Sequence, residues 1–350
     1  MKFGLHFQLP CAANQSPVRR YRDTIEQAVH AERLGFESVW PVEQHFNPDL
    51  SILPAPLLLL AAVAERTRTL RLGVAIVLLP LSHPVRIAEE IATLDVISGG
   101  RVEFGVGRGA IPAHFAGFGV PQAESRDRLL EGLDAILRAW NGDRLSHDGR
   151  YFRFEDLSVV PKPIQQPYPP IRVAANSMDS FELLGRMGYD ICVATQVNPF
   201  PKLKELVPMY RQARVAAGHP SRGGEDLTLL CPLFVGESQR RIREIMEPGV
   251  NHFIQVAASL FAGVAAKPEG GAIRLQKAAE RARRLTYEKF TGLMGVFETP
   301  AMCVRRLKLI QEEFNPGRLI CWFNPGGMAP HQEVMRAMEM FAAEVMPHFQ

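Results

Sequence analysis

Eight short apolar segments, each followed by a stretch of helical periodicity, constrain this chain more than any other feature. They are "KFGLHFQL", "ESVWPV", "LRLGVAIVL", "RVEFGVG", "IRVAA", "DICVA", "LTLLCPLFV" and "RLICWF". Near-continuous hydrophobic runs of this length suit strands buried on both faces, as in parallel sheets. Helical patterns fall between them, for example Val18 to Leu34, Val85 to Ile97, Ser125 to Trp140 and Pro201 to Ala217. Eight strand–helix units predict an α/β fold, a closed (β/α)8 TIM barrel. A length of 350 residues suits one such domain, 1–350, enlarged by insertions. Two stretches break the eightfold pattern: the proline-rich 141–170, and 250–298, rich in Gly, Ala, Lys and Arg, which reads as a lid. No solenoid-type repeat is present.

Composition narrows the partners. The chain is 47% hydrophobic and 22% charged with a formal net charge of +3, which supports a sizeable core and argues against nucleic acid. The five cysteines lack any C-x-x-C spacing and fit a reducing cytoplasm. The start "MKFGLHFQLP" resembles no secretory signal, and the longest apolar run, Leu57 to Ala64, is too short to span a bilayer, so no membrane partner is expected.

In a barrel the chemistry collects at the C-terminal strand ends. The polar segments there are "EQHFNPD" (Glu43 to Asp49), "PLSHPVR" (Pro80 to Arg86), "GRGAIPAHF" and "NSMDS" (Asn176 to Ser180). The stretch "GVGRGAIPAHFAGFG" invites comparison with the dinucleotide fingerprint G-x-G-x-x-G. Its sixth position is Ala110, and the acidic residues at a suitable distance, Glu124 and Asp127, open a helix rather than end a strand. A different anion fits better. Arg108 offers a planar fork of donors that matches phosphate, and its flanking glycines let backbone N–H groups approach closely. "NSMDSFELL" reads as a helix start, with Ser177 or Asn176 capping and Ser180 in the first turn. The two loops follow neighbouring strands, so they can converge on one terminal phosphate. His83 before Pro84 reads as a turn residue. No metal site is expected, because His6 is followed two residues later by Gln8 and the other histidines lack short ligand spacing. Phe7, Trp40, Phe46 and Leu79 near strand ends predict an apolar mouth.

These motifs together resemble the bacterial luciferase-like flavin-dependent monooxygenases. The resemblance is carried by "MKFG", "AERLGFESVW", "EQHF", "GVAIVLLPLSHPVRIAEEIATLDVISGGRVEFGVGRG" and "FGV", then more thinly by "VAANSMDS" and "FETPAMCVRRL". It implies a barrel that binds reduced FMN (FMNH2) or, in some branches, the deazaflavin F420. By the same resemblance Arg108 lies on the flavin phosphate with Gly109 and Ala110 on the adjoining backbone, and Asn176, Ser177 and Ser180 form the phosphate loop and helix start. A non-proline cis peptide under the ring falls at Ala75 and Ile76. Gln44 and His45 occupy the catalytic position where luciferase has two adjacent histidines. Glutamine cannot take up a proton at ordinary pH, so light emission from an aldehyde is not expected. Strand alternation sends the two to opposite sides, and the resemblance implies Gln44 toward the ring and His45 behind it.

The implied activity is oxygenation, through O2 addition at flavin C4a, of a small apolar or heterocyclic organic molecule. No second nucleotide fingerprint is present, so a separate NAD(P)H-flavin reductase is expected. The apolar "PAPLLLLAAVA" helix predicts a homodimer. Two alternatives stand beside this reading: F420-dependent hydride transfer, and a non-catalytic flavin-binding, subunit-like protein.

Overall fold

Twelve strands appear in the computed structural model, which describes residues 1–262 and 284–349. They are β1 (Lys2–Phe7), β2 (Ser38–Pro41), β3 (Arg71–Gly73), β4 (Val77–Leu78), β5 (Val102–Gly107), β6 (Leu145–Asp148), β7 (Arg153–Leu157), β8 (Ile171–Ala174), β9 (Asp190–Ala194), β10 (Leu227–Val235), β11 (Val296–Glu298) and β12 (Arg318–Trp322). Parallel pairing runs β1, β2, β3, β5, β8, β9, β10, β12 and back to β1, which closes the barrel. All eight expected segments supply a barrel strand. The third is divided into β3 and β4, with a cis peptide between Ala75 and Ile76 in the gap. The helices Pro17–Arg33, Pro84–Ser98, Ser125–Asn141 and Phe200–Ala216 lie where periodicity places them.

Alternation sorts each strand between the outer helices and the barrel interior. On β1, Phe3 meets Phe341 and Phe349 edge-on, with ring centroids 5.1 and 5.6 Å away. Gly4 and His6 face inward. At the N-terminal end the interior is charged: the Arg318 guanidinium donates to both oxygens of Glu103 at 2.8 Å, and Arg71 Nε donates to Glu103 at 2.7 Å. Burial pushes the Glu103 carboxyl up, but Arg318, Arg172 and Arg71 outweigh it and hold the group below the usual range.

Above this floor Trp40 lies fully buried across the barrel, its Nε1 donating to Ser38 Oγ at 2.8 Å. Glycine makes the room. A Cβ on Gly73 would sit 2.2 Å from the indole, and the Arg318 guanidinium lies 5.3 Å from the indole ring on another side. Trp40 is therefore a plug beneath the strand ends, not part of the mouth. Two more of the aromatic or apolar residues expected at the mouth are elsewhere. Phe7 joins the core between barrel and helices, and Leu79 lies 3.3 Å from where a Cβ of Gly132 would stand. Only Phe46 is at the rim, 63% exposed.

Of the two insertions, 141–170 holds the antiparallel hairpin β6–β7 and a proline-rich run tied down by Asp95, whose carboxylate accepts from the backbone of Ile164 and Gln165 at 2.9 and 3.0 Å. The second stretch, 250–298, is described only in part. The helix Gln239–Ala262 runs straight through its first part, and its last part forms the helix Tyr287–Leu293 and β11, which pairs with β10. Residues 263–283 of the expected lid lie outside the described residues. No helix among the described residues is long and apolar enough to cross a membrane.

Candidate active site

A cavity of about 350 Å³ opens at the C-terminal ends of the barrel strands, above Trp40. Gln44, Ala75, Ile76, Arg108, Gly109, Ala110, Asn176 and Ser180 all line it. Of the ten residues singled out in the sequence, only Ser177 and His45 do not.

Strand order brings the two expected phosphate loops together. β5 pairs directly with β8, Val106 opposite Val173, so the loops that follow them are neighbours. The glycines on β5 and in its loop have separate reasons. A Cβ on Gly105 would lie 1.8 Å from the Val74 carbonyl and one on Gly107 2.2 Å from the end of Ile76, while Gly109 turns the chain with φ +77°. The first two let β5 press against the Ala75–Ile76 segment. The third allows the left-handed turn that brings Arg108 and Ala110 to the cavity. Across from them, Ser177 is the N-cap of the helix Met178–Arg186. Ser180 Oγ accepts from the backbone of Asn176 at 3.1 Å and Ser177 at 2.9 Å, which folds the loop tightly onto the helix start. Arginine and the positive end of a helix thus face one corner.

After β2 the side chains diverge. Gln44 enters the cavity, where its Oε1 has no hydrogen-bond partner among the described residues. His45 turns away. Its Nε2 is 2.9 Å from Glu43 Oε1, its backbone N–H donates to His114 Nε2 at 3.3 Å, and its ring meets Phe118 edge-on at 4.8 Å. The other Glu43 oxygen accepts from Leu78 N–H at 2.9 Å.

Comparison with known proteins decides the family. Residues 1–313 match the luciferase-like monooxygenases. The chain belongs to that family. The oxygenase component of a flavin-dependent trigonelline monooxygenase from Acinetobacter baylyi is 34% identical over 57% of this chain and 54% of that protein. The crystal structure of the monooxygenase RslO1 from Streptomyces bottropensis covers all of both chains, with a TM-score of 0.82 and 27% identity. The oxygenating constituent of 3,6-diketocamphane monooxygenase from Pseudomonas putida, solved with FMN, shares the fold, with a TM-score of 0.81 and 20% identity over 99% of this chain and 98% of that one.

Several residues of this luciferase-like enzyme's cavity escaped sequence reasoning. His6 and Gln8 both line it, because alternation on β1 that sends Phe7 outward sends its neighbours inward. In the sequence alone, the spacing His6–Gln8 reads only as a failed metal motif. Gln196, just past β9, and Trp322, ending β12, obey the same strand-end rule that found Arg108. Gln196 Oε1 and Trp322 Nε1 are buried without hydrogen-bond partners among the described residues. His114 lines the cavity from the helix Pro112–Phe118. Burial lowers its pKa to about 4, with the neighbouring His45 lowering it further and the His45 backbone hydrogen bond opposing. Cys192 also lines the cavity, but burial pushes its thiol up to about 12, so it is no nucleophile there.

The donor set fits a flavin. An arginine and a helix start suit a terminal phosphate, Ile76, Leu230 and Phe253 supply apolar walls for a ring, and the unpartnered polar atoms of Gln44, Gln196 and Trp322 suit its polar edge or a second bound molecule. Outside the cavity, Asp23, Glu26 and His331 bring ligand-type atoms within 4.8 Å of one another, a grouping invisible in the spacing; His331 Nε2 is 3.4 Å from Glu26 there, an ordinary ion-pair contact.

Proposed function

We propose that this family member is the oxygenase of a two-component system: it takes FMNH2 from a separate NAD(P)H-flavin reductase in the cytoplasm and uses O2 to oxygenate a small apolar or heterocyclic substrate. The observation that carries this reading is that Arg108 and the Asn176–Ser180 helix start line one mainly apolar cavity at the strand ends.

When bound, reduced flavin would supply the two electrons with which one atom of O2 enters the substrate and the other leaves as water. The chain's residues position and insulate. Arg108 and the helix start would hold the phosphate, and Ala75, Ile76 and Leu230 would supply the apolar wall for the ring. Phe253 and Trp322, in edge contact at 5.1 Å, keep water from the inner wall. Gln44 offers hydrogen bonds at the reacting face without exchanging a proton. His114, its Nε2 taken by the His45 N–H, stays neutral and presents Nδ1–H as a donor.

Oxygenation is tested by supplying FMN, NADH, a generic flavin reductase and 18O2 with a panel of apolar and heterocyclic compounds. A product carrying one labelled oxygen supports the proposal. Turnover with reduced F420 but not with FMNH2, or tight FMN binding with no oxygen consumption, would replace it with one of the two alternatives above.

A further inference from the structure

His6 and Trp322 meet at the seam where the first and last barrel strands pair. Their rings are edge to face, with centroids 5.5 Å apart and planes at 88°. Both side chains line the cavity.

Each has one polar atom whose character is fixed. His6 Nδ1 lies 2.9 Å from the Trp40 carbonyl oxygen. A carbonyl only accepts, so Nδ1 carries the hydrogen and Nε2 is left with a lone pair. Burial lowers the His6 pKa to about 4, more than the Trp40 hydrogen bond raises it, so the ring is neutral at pH 7. Trp322 is 1% exposed, and its Nε1–H has no partner among the described residues. An indole nitrogen can only donate. An acceptor nitrogen and a donor nitrogen are therefore carried by two rings in edge contact on one cavity wall, the donor unmet.

We propose that His6 and Trp322 together read one group that donates to His6 Nε2 and accepts from Trp322 Nε1–H. This rests on the reading of the cavity as a flavin and substrate site. Two bound molecules carry such chemistry: a substrate with a phenolic or enolic hydroxyl, and the flavin itself through its imide edge, where N–H adjoins C=O. Competing groups satisfy only half of the pair. A ketone or ether accepts from Trp322 but sets lone pairs against His6, and a carboxylate adds charge to that conflict.

The test uses two matched pairs of ligands on the whole protein. FMN is compared with 3-methyl-FMN by fluorescence quenching. In FMN-saturated protein, 4-ethylphenol is compared with 4-ethylanisole by calorimetry. In at least one pair the donor-bearing ligand should bind tenfold or more tighter than its methylated counterpart, and His6→Phe or Trp322→Phe should remove that preference. His6→Gln, whose side-chain oxygen still accepts, should keep part of it, and matching melting curves certify the fold of each variant. A preference in the first pair assigns the group to the flavin, and one in the second assigns it to the substrate. No preference in either pair, or one that survives both phenylalanine variants, overturns the proposal. If the parent reading is at fault, the sign is different: FMN does not bind the wild type at all.

Discussion

One buried carboxylate, Glu43, is shared between the His45 imidazole and the Leu78 backbone N–H, each at 2.9 Å. It joins the loop that carries Gln44 to the chain just beyond the Ala75–Ile76 peptide, and His45 extends the link through its own N–H to His114. Three loops that line the cavity are thereby fixed relative to one another. Glu43→Ala should cost about 3–5 kcal/mol in urea unfolding, because it strips a buried pair of one partner. Gln44→Ala should leave stability nearly unchanged and lower kcat/KM without removing an ionisation from the pH profile. A histidine-like pKa that vanishes only in His45→Ala, with FMN affinity intact, would make His45 the acid/base instead.

Arg108→Ala should weaken FMN binding by about 1.5–3 kcal/mol, the scale of a charge-assisted hydrogen bond, and leave riboflavin nearly untouched. Parallel fluorescence titrations read the difference. An equal loss for both ligands would place the arginine away from the phosphate.

Two glycine substitutions separate crowding from backbone conformation. Gly105→Ala drives a Cβ to 1.8 Å from the Val74 carbonyl, whereas Gly99→Ala meets nothing within 4 Å and carries only the strain of φ +69°. The second should cost about 1–2 kcal/mol. The first should cost more and lower Tm by several degrees further, since a backbone atom cannot move aside as a side chain can.

Stability should fall in mild acid because of His6. Its folded pKa of about 4 lies below the ordinary 6.5, so between those values the unfolded chain binds a proton that the folded chain refuses. That loss begins as pH drops below 6.5 and is complete near 4. From pH 7.5 to pH 5 it amounts to about 2 kcal/mol. Urea unfolding at both pH values should show the slope flattened by that amount in His6→Gln; an unchanged slope would mean that the ring protonates in place.

The helices Pro56–Ala64 and Pro84–Ser98 expose Leu58 (74%), Val96 and Ile97 on the outside of the barrel. We propose that a second copy of the chain covers them. Sedimentation at micromolar concentration should give a dimer, and Leu58→Lys should shift it toward monomer. A wild-type monomer would leave this face as ordinary surface.

The amino-acid order alone determined where the eight strands lie, because a strand buried on both faces must be apolar along its whole length. It also brought Arg108 and Asn176 to one cavity, since both sit just past strand ends and the handedness of strand–helix–strand units makes those ends one face. Which way a side chain turns was decided by the tertiary structure. Neighbours on a strand point to opposite sides, so Phe7 and His6 exchange places with a one-residue change of register. Trp40 became a plug because Gly4 and Gly73, far apart in the chain, leave space for it. Only barrel closure set His6 against Trp322, 316 positions later. Local patterns carry the elements, but contacts across a closed barrel depend on all eight registers at once.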